Sequence, residues 1–234
     1  MIEKILHISD LHVEDEDTGK MWYDLTCAIA KKYDPDRCIL VITGDIVEHG
    51  KQSEYAAAID GFALLQGVGY KVVVVPGNHD YGPWGNIYRA DAHQNFLDFA
   101  GNLCDIDGFP FRVKGDGWQI LALDSTAHNE EGERFARGRI GNEQLAWLES
   151  HLAFSGRTWI AMHHHPTWRN PFLAVADRDD LQSLVDRRDR VQYLCGHRHE
   201  EDLDLIAAGK FPRDRRVIEI DPRTGDLEVS EIVL

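Results

Sequence analysis

Five short apolar runs in this 234-residue chain each end in residues of the kind that bind hard metal ions: Asp10 with His12, Asp45, Asn78 with His79, His164, and His197 with His199. The repetition is the signal. A single Asp after a strand is ordinarily a turn or cap residue, and a single His is ordinarily a hydrogen-bonded core residue. Five at corresponding places imply one polar site, and oxygen and imidazole donors in that number suit a two-metal centre for phosphoryl chemistry.

Two neighbouring metals need a shared ligand. A carboxylate can bridge them, whereas an imidazole must first lose its second proton, so Asp45 in the pair Gly44-Asp45 is the expected bridge. Asp10 and Asp45 offset only half the charge of two divalent ions. Neutral Asn78 and the histidines then complete the coordination and leave a cationic trap for a phosphate.

The runs that carry these residues are Lys4 to Ile8, Cys38 to Thr43, Lys71 to Val75, Trp159 to Met162 and Val191 to Cys195. Being apolar at nearly every position, they suit strands buried on both faces. Helical spacing appears over Trp22 to Lys32, Glu54 to Gln66, Asn142 to Phe154 and Asp177 to Arg190. Strand, polar loop, helix, strand is the α/β alternation, and in such sheets the crevice beyond the carboxyl ends of the strands is where ligands bind. Phe111 to Val113 with Trp118 to Leu123, and Arg216 to Ile220 with Leu227 to Val233, flank turn sequences and read as hairpins. Tyr81 to Asn102 reads as the least regular stretch, a candidate wall of the site, and the acidic residues Glu14 to Asp17 read as a solvated loop.

Composition narrows the partners. With 43% hydrophobic and 28% charged residues, the chain is that of an ordinary globular protein, expected to form one domain over 1–234. Its formal net charge of −15 disfavours nucleic-acid polymers, because the arginine-rich stretches Arg187 to Arg190 and Arg213 to Arg216 are broken by aspartates. Small anionic substrates remain compatible with a locally positive site. Cys27, Cys38, Cys104 and Cys195 show no paired spacing, and Cys38 and Cys195 read as small core residues. Neither a leader peptide nor a membrane-length apolar run is visible, so a cytoplasmic protein with no membrane partner is expected. The oligomeric state is left open, a homodimer among the options.

The residues now carry a resemblance. Asp10-Leu11-His12, Gly44-Asp45, Gly77-Asn78-His79-Asp80, His163-His164-His165-Pro166 and Gly196-His197-Arg198-His199 resemble, in order and spacing, the motif series of the calcineurin-like metallophosphoesterases. The resemblance implies an α/β fold, a four-layer α/β/β/α sandwich with two central mixed β-sheets. It implies two divalent metal ions (Mn, Fe or Zn), one on Asp10, His12, Asp45 and His199, the other on Asp45, Asn78, His164 and His197. His164 follows from the family's ligand standing two residues before the proline. His163 and His165 then become supporting or substrate contacts, and Asn78, His79 and His165 the substrate-binding residues. His79 is placed as an acid beside the leaving oxygen, with Asp80 orienting it or capping the loop, and hydroxide generated at the metals attacks phosphorus in line.

Departures within the family narrow the reading further. Phosphoprotein phosphatases carry an arginine soon after Gly-Asp, and lipid A pathway pyrophosphatases an arginine in place of His79; neither is present. Gly50 to Tyr55 and Gly138 to Leu148 are similar to segments of the class III cyclic-nucleotide phosphodiesterase and glycerophosphodiesterase branch. The implied activity is a phosphodiesterase on small phosphodiesters such as cyclic nucleotides, with a phosphomonoesterase or nuclease on the same site as the alternative. A non-catalytic scaffold would have lost ligands, and none is missing.

Overall fold

The computed structural model describes residues 1–85, 87–126, 137–168, 170, 173–186 and 188–234, apart from the side chain of Trp84. Trp84 as a wall residue and Arg187 in the fourth expected helix therefore lie outside the described residues.

Strands β1 (Lys4–Ile8), β2 (Cys38–Thr43) and β3 (Lys71–Val75) fall where the apolar runs place them. Between them run α1 (Glu16–Lys32) and α2 (Gln52–Gly67), followed by α3 (Ala90–Cys104). The hairpin of β4 (Phe111–Lys114) and β5 (Trp118–Ala122) precedes α4 (Asn142–His151), β6 (Arg157–Ala161), α5 (Arg178–Val185) and β7 (Val191–Leu194). A short α6 (Phe211–Asp214) leads into the second hairpin, β8 (Arg216–Ile220) and β9 (Leu227–Glu231).

These strands form two mixed sheets, ordered β3-β2-β1-β8-β9 and β4-β5-β6-β7. The hairpin partners pair antiparallel, while β1, β2 and β3, and likewise β5, β6 and β7, run parallel. Strand alternation sorts the core into layers. Ile5, Ile39, Val41, Val73 and Val75 of the first sheet meet Trp118, Ile120, Ala122, Trp159 and Ala161 of the second. Leu6, Ile8, Leu40 and Ile42 face Trp22, Leu25, Phe62 and Phe96 of the first three helices. Leu121, Ile160 and Met162 face Leu145, Leu148 and Leu181 on the other side. The result is the four-layer α/β/β/α sandwich. Cys38 and Cys195 are buried core residues as expected. No described helix is long and apolar enough to cross a membrane.

Three local expectations are corrected. The acidic stretch after His12 is the start of α1: Asp15 accepts from Thr18 N while Thr18 Oγ1 accepts from Asp15 N, and Glu16 and Asp17 sit in the first turn, favoured by the helix dipole. The stretch read as least regular contains α3, whose buried Ala92, Phe96, Phe99, Ala100 and Leu103 recur at helical spacing. The fourth expected helix is shorter at both ends: it ends at Val185, and it begins after Asp177, whose carboxylate accepts from the backbone N–H groups of Ile140 and Gly141 at 3.0 and 2.7 Å.

Candidate metal centre

The loops after β1 and β2 are laced together beyond the sheet edge. Asp10 N donates to Gly44 O (3.1 Å), His12 N to Asp45 O (2.9 Å) and Val13 N to Ile46 O (3.0 Å). Among the described residues, eight non-glycine residues have positive φ, and five of them are Asp10, His12, Asp45, His197 and His199. Each left-handed L-residue costs about 1–2 kcal/mol, so this strain is held by the surrounding bonds and turns the side chains toward one point. Close backbone packing demands glycine next to them. A Cβ on Gly77 would lie 2.1 Å from Asp45 Oδ1, and one on Gly196 would lie 1.8 Å from Ser9 Oγ and 2.6 Å from Asp10 Oδ2.

Asp10, His12, Asp45 and His199 form one cluster that could hold a metal, with donor atoms all within 4.8 Å of one another. His12 Nδ1 lies 2.7 Å from Glu48 Oε2, which takes its hydrogen and leaves the lone pair on Nε2. That Nε2 faces His199 Nε2 at 3.0 Å and Asp45 Oδ2 at 3.6 Å, while His199 Nε2 lies 3.2 Å from Asp10 Oδ1. The outer oxygens are already used: Asp10 Oδ2 accepts from His197 N (3.1 Å) and Asp45 Oδ1 from His79 N (3.0 Å). Asp10 Oδ1 and Asp45 Oδ2, both buried, accept no hydrogen bond. Buried carboxylate oxygens without donors are costly unless a cation meets them.

The second cluster gathers on the other side of Asp45 Oδ2. His163 Nε2 lies 3.4 Å from that oxygen, 3.0 Å from Asn78 Oδ1 and 3.1 Å from His197 Nδ1. His163 donates from Nδ1 to Thr43 O at 2.7 Å, so its Nε2 lone pair points inward. Asn78 Nδ2 donates to Gly85 O, which turns Oδ1 inward as well. His164 is also in the histidine cluster, but its Nδ1 lies 3.0 Å from Ser125 Oγ. That hydroxyl already accepts from the N–H groups of His163 and His164, so its one hydrogen goes to His164 Nδ1 and His164 carries its own hydrogen on Nε2. The inward lone pair expected of His164 is thus found on His163. Strand parity explains it: Trp159 and Ala161 face the other sheet, and His163 continues that face.

The electrostatics ask for cations. Burial alone would lower the pKa of His12, yet Asp10, Glu48 and Asp45 carry it up to about 10. His163 is likewise lowered by burial but carried up to about 9, chiefly by Asp45. Divalent ions would supply that positive charge and release the imidazoles as neutral ligands. The donor set, with its two unserved carboxylate oxygens, fits a pair of metals.

His79 stands beside the first cluster, its ring 4.8 Å from that of His12. It donates from Nδ1 to the Glu48 carbonyl at 2.9 Å, with Glu48 Oε1 at 3.3 Å. The orienting carboxylate is therefore Glu48, which the sequence reading missed, and not Asp80. Asp80 accepts instead from the N–H groups of Ile46, Val47 and Gly77 and from Tyr55 Oη, tying the loops after β2 and β3 together. Burial, helped by the charge of Asp45, pushes it up to about 6. His165 is buried, accepts at Nδ1 from Thr167 N and packs on Tyr193; it is in none of the donor clusters.

Comparison with known proteins agrees with the family resemblance. The chain is 25% identical over 245 residues to the 3',5'-cyclic adenosine monophosphate phosphodiesterase CpdA of Escherichia coli, covering 98% of this chain and 82% of that one. It is 30% identical to a probable cyclic nucleotide phosphodiesterase of Moraxella catarrhalis (84% and 71% covered) and 27% identical to a probable glycerophosphodiester phosphodiesterase GpdQ of Arcobacter nitrofigilis (86% and 69% covered). These relatives belong to the branch that the motifs resemble. Among solved structures, a purple acid phosphatase from yellow lupin seeds matches the fold with a TM-score of 0.53 at 15% identity, over 85% of this chain. The sulfate thiohydrolase SoxB of Thermus thermophilus matches with 0.52 at 12% identity, over 97% of this chain. This chain spans only 38% and 55% of those two larger chains. With residues 3–201 matching the family's sequence profile, the chain belongs to the calcineurin-like phosphoesterases.

Proposed function

We propose that this chain hydrolyses small phosphodiesters at a centre of two divalent metals bridged by Asp45. One observation carries the reading: Asp45 Oδ2, buried and accepting no hydrogen bond, lies 3.6 Å from His12 Nε2 and 3.4 Å from His163 Nε2, between two sets of converging lone pairs. Asp45 would thus be common to both sets. Asp10, His12, Asp45 and His199 would hold one metal, and Asp45, Asn78, His197 and His163 the other, with His163 taking the place first given to His164. Two divalent cations bound there would supply the charge that polarises a phosphoryl group and the acidity that makes water a nucleophile near neutral pH.

The protein's own groups do the rest. Across both sets the carboxylates are only Asp10 and Asp45, the remaining donors being neutral, so the site keeps its attraction for a phosphodiester within an acidic protein. His79 presents Nε2 as the proton donor to the leaving oxygen, since Nδ1 is engaged by Glu48. Burial alone would lower its pKa, but Asp45 and Glu48 raise it, which favours the charged acid. The names of the relatives support a diester substrate, and the net charge of −15 disfavours polymers. Four free cysteines are in keeping with a cytoplasmic setting.

Metal analysis with a substrate panel tests the reading. Wild-type protein should hold two metals per chain and cleave a bis-aryl phosphate and cyclic nucleotides faster than an aryl monophosphate or single-stranded DNA. Asp45→Asn should lose metal and turnover together. Full activity of metal-stripped Asp45→Asn overturns the mechanism, and a preference for the monoester overturns the substrate class.

A further inference from the structure

We infer that Trp168 and Arg198 form a subsite for a nucleobase at the rim of the metal cleft, which selects nucleotides among the phosphodiesters; this rests on the phosphodiesterase reading above. Trp168 stands apart from the other tryptophans whose side chains are described. Trp22, Trp118, Trp159 and Trp147 pack in or against the apolar clusters, whereas half-buried Trp168 joins none of them. A large aromatic left out of the core needs another reason for its position.

Its surroundings supply one. The Trp168 ring meets that of His197 at 5.2 Å between centroids and an interplanar angle of 72°. The indole therefore borders a residue of the second metal set directly. Arg198, between His197 and His199, places its guanidinium carbon 5.4 Å from the indole centroid. Asp202, at 3.2 Å, and Glu200, at 3.7 Å, hold the Arg198 side chain there. The turn that carries Trp168 is anchored from two sides, by Trp168 N to His165 O (3.4 Å) and by Arg178 Nη1 to Trp168 O (3.2 Å).

A fixed indole beside a guanidinium rewards a flat π-system bearing ring nitrogen and oxygen acceptors. Stacking on an aromatic side chain favours any base, since every base has a π-face, and the guanidinium adds donors and a cation–π partner. A glycerol alcohol has no such face. The net charge of −15 limits the ligand to a mononucleotide, not a strand.

The test compares 3',5'-cyclic AMP with glycerophosphoethanolamine on wild type, Trp168→Ala and Trp168→Phe, with metal content measured on each. Loss of one stacked base predicts that Trp168→Ala lowers the ratio of kcat/KM for the cyclic nucleotide to that for the glycerol diester about tenfold, mostly through KM. Trp168→Phe should restore most of the ratio, and both variants should keep two metals. A supporting measurement is the affinity for AMP, which should weaken in Trp168→Ala by a similar factor while that for inorganic phosphate stays. Equal changes on both substrates, or loss of metal in Trp168→Ala, overturn the subsite and leave the phosphodiesterase reading intact. If the wild type cleaves neither diester, the phosphodiesterase reading itself fails.

Discussion

The carbonyl oxygen of Thr43, the last residue of β2, accepts the Nδ1 hydrogen of His163 across 2.7 Å and 120 positions of sequence. This one bond sets the tautomer of an imidazole in the loop after β6 of the other sheet and aims its other nitrogen at Asp45. His163→Ala should therefore lose one of two metals per chain, and hydrolysis of an aryl phosphodiester should drop at least a hundredfold. His164→Ala should retain both metals, since its Nδ1 is bound to Ser125. Elemental analysis of the two variants decides the matter; loss of metal in His164→Ala alone would return the ligand to that residue.

The Glu48 carboxylate faces two imidazoles: Oε2 accepts from His12 Nδ1 at 2.7 Å, and Oε1 lies 3.3 Å from His79 Nδ1, whose hydrogen goes to the Glu48 carbonyl. A glutamine offers one acceptor oxygen and one donor amide, so Glu48→Gln must turn a donor toward one of them. Metal affinity at the first set should fall about 10–100-fold, the usual effect of removing a partner that orients a ligating histidine. Titration of metal into stripped protein measures this, with the melting temperature as a control on folding. Wild-type affinity and turnover in Glu48→Gln would mean that only one of the two contacts matters.

The apolar runs made the sheet legible. β1, β2 and β3 fall on runs dominated by Val, Ile and Leu, because strands buried on both faces admit few polar residues, buried His7 of β1 and Thr43 of β2 among them. Helix α3 was obscured by Gly82 and Pro83 just before it, which draw attention to a loop although Phe96, Phe99 and Leu103 already carry the helical period. The pair of donor sets was legible too, as residue types after strands. Their wiring was not. The Thr43 carbonyl has no side-chain signature, and Glu48 reaches His12 only because the loops after β1 and β2 are bonded together. Carrying the parity of Trp159 and Ala161 two residues onward points to His163, the ligand proposed above, and that parity is readable in the sequence.

Asp80 gathers three backbone N–H groups and one phenol into a buried site, so its removal is a test of the scaffold and not of the chemistry. Asp80→Ala leaves Ile46 N, Val47 N and Gly77 N without their acceptor. At about 1–3 kcal/mol for each unsatisfied group, partly relieved by entering water, the loss should be about 3–5 kcal/mol in a denaturant titration. Asp80→Asn keeps one oxygen and should lie between. If Asp80→Ala unfolds at the wild-type midpoint, the carboxylate does not hold these loops.

His7 lies in the layer between the sheets, fully buried, with Nε2 2.9 Å from Thr43 Oγ1. Burial pushes its pKa down to about 3, against the opposing charge of Asp10. In the unfolded chain the same imidazole titrates near 6.5. Between these values the unfolded state binds the proton and the folded state does not, so stability is full above about pH 6.5 and falls as pH drops toward 3. At about 1.4 kcal/mol per pH unit, His7 alone should remove about 3 kcal/mol by pH 4. A glutamine can keep the bond to Thr43 and does not titrate. Denaturant titrations of wild type and His7→Gln, both stripped of metal so that acid release of the ions does not contribute, should therefore diverge below pH 6.5, with the wild type falling more steeply. Parallel curves down to pH 4 would show that the acid sensitivity of this fold lies elsewhere.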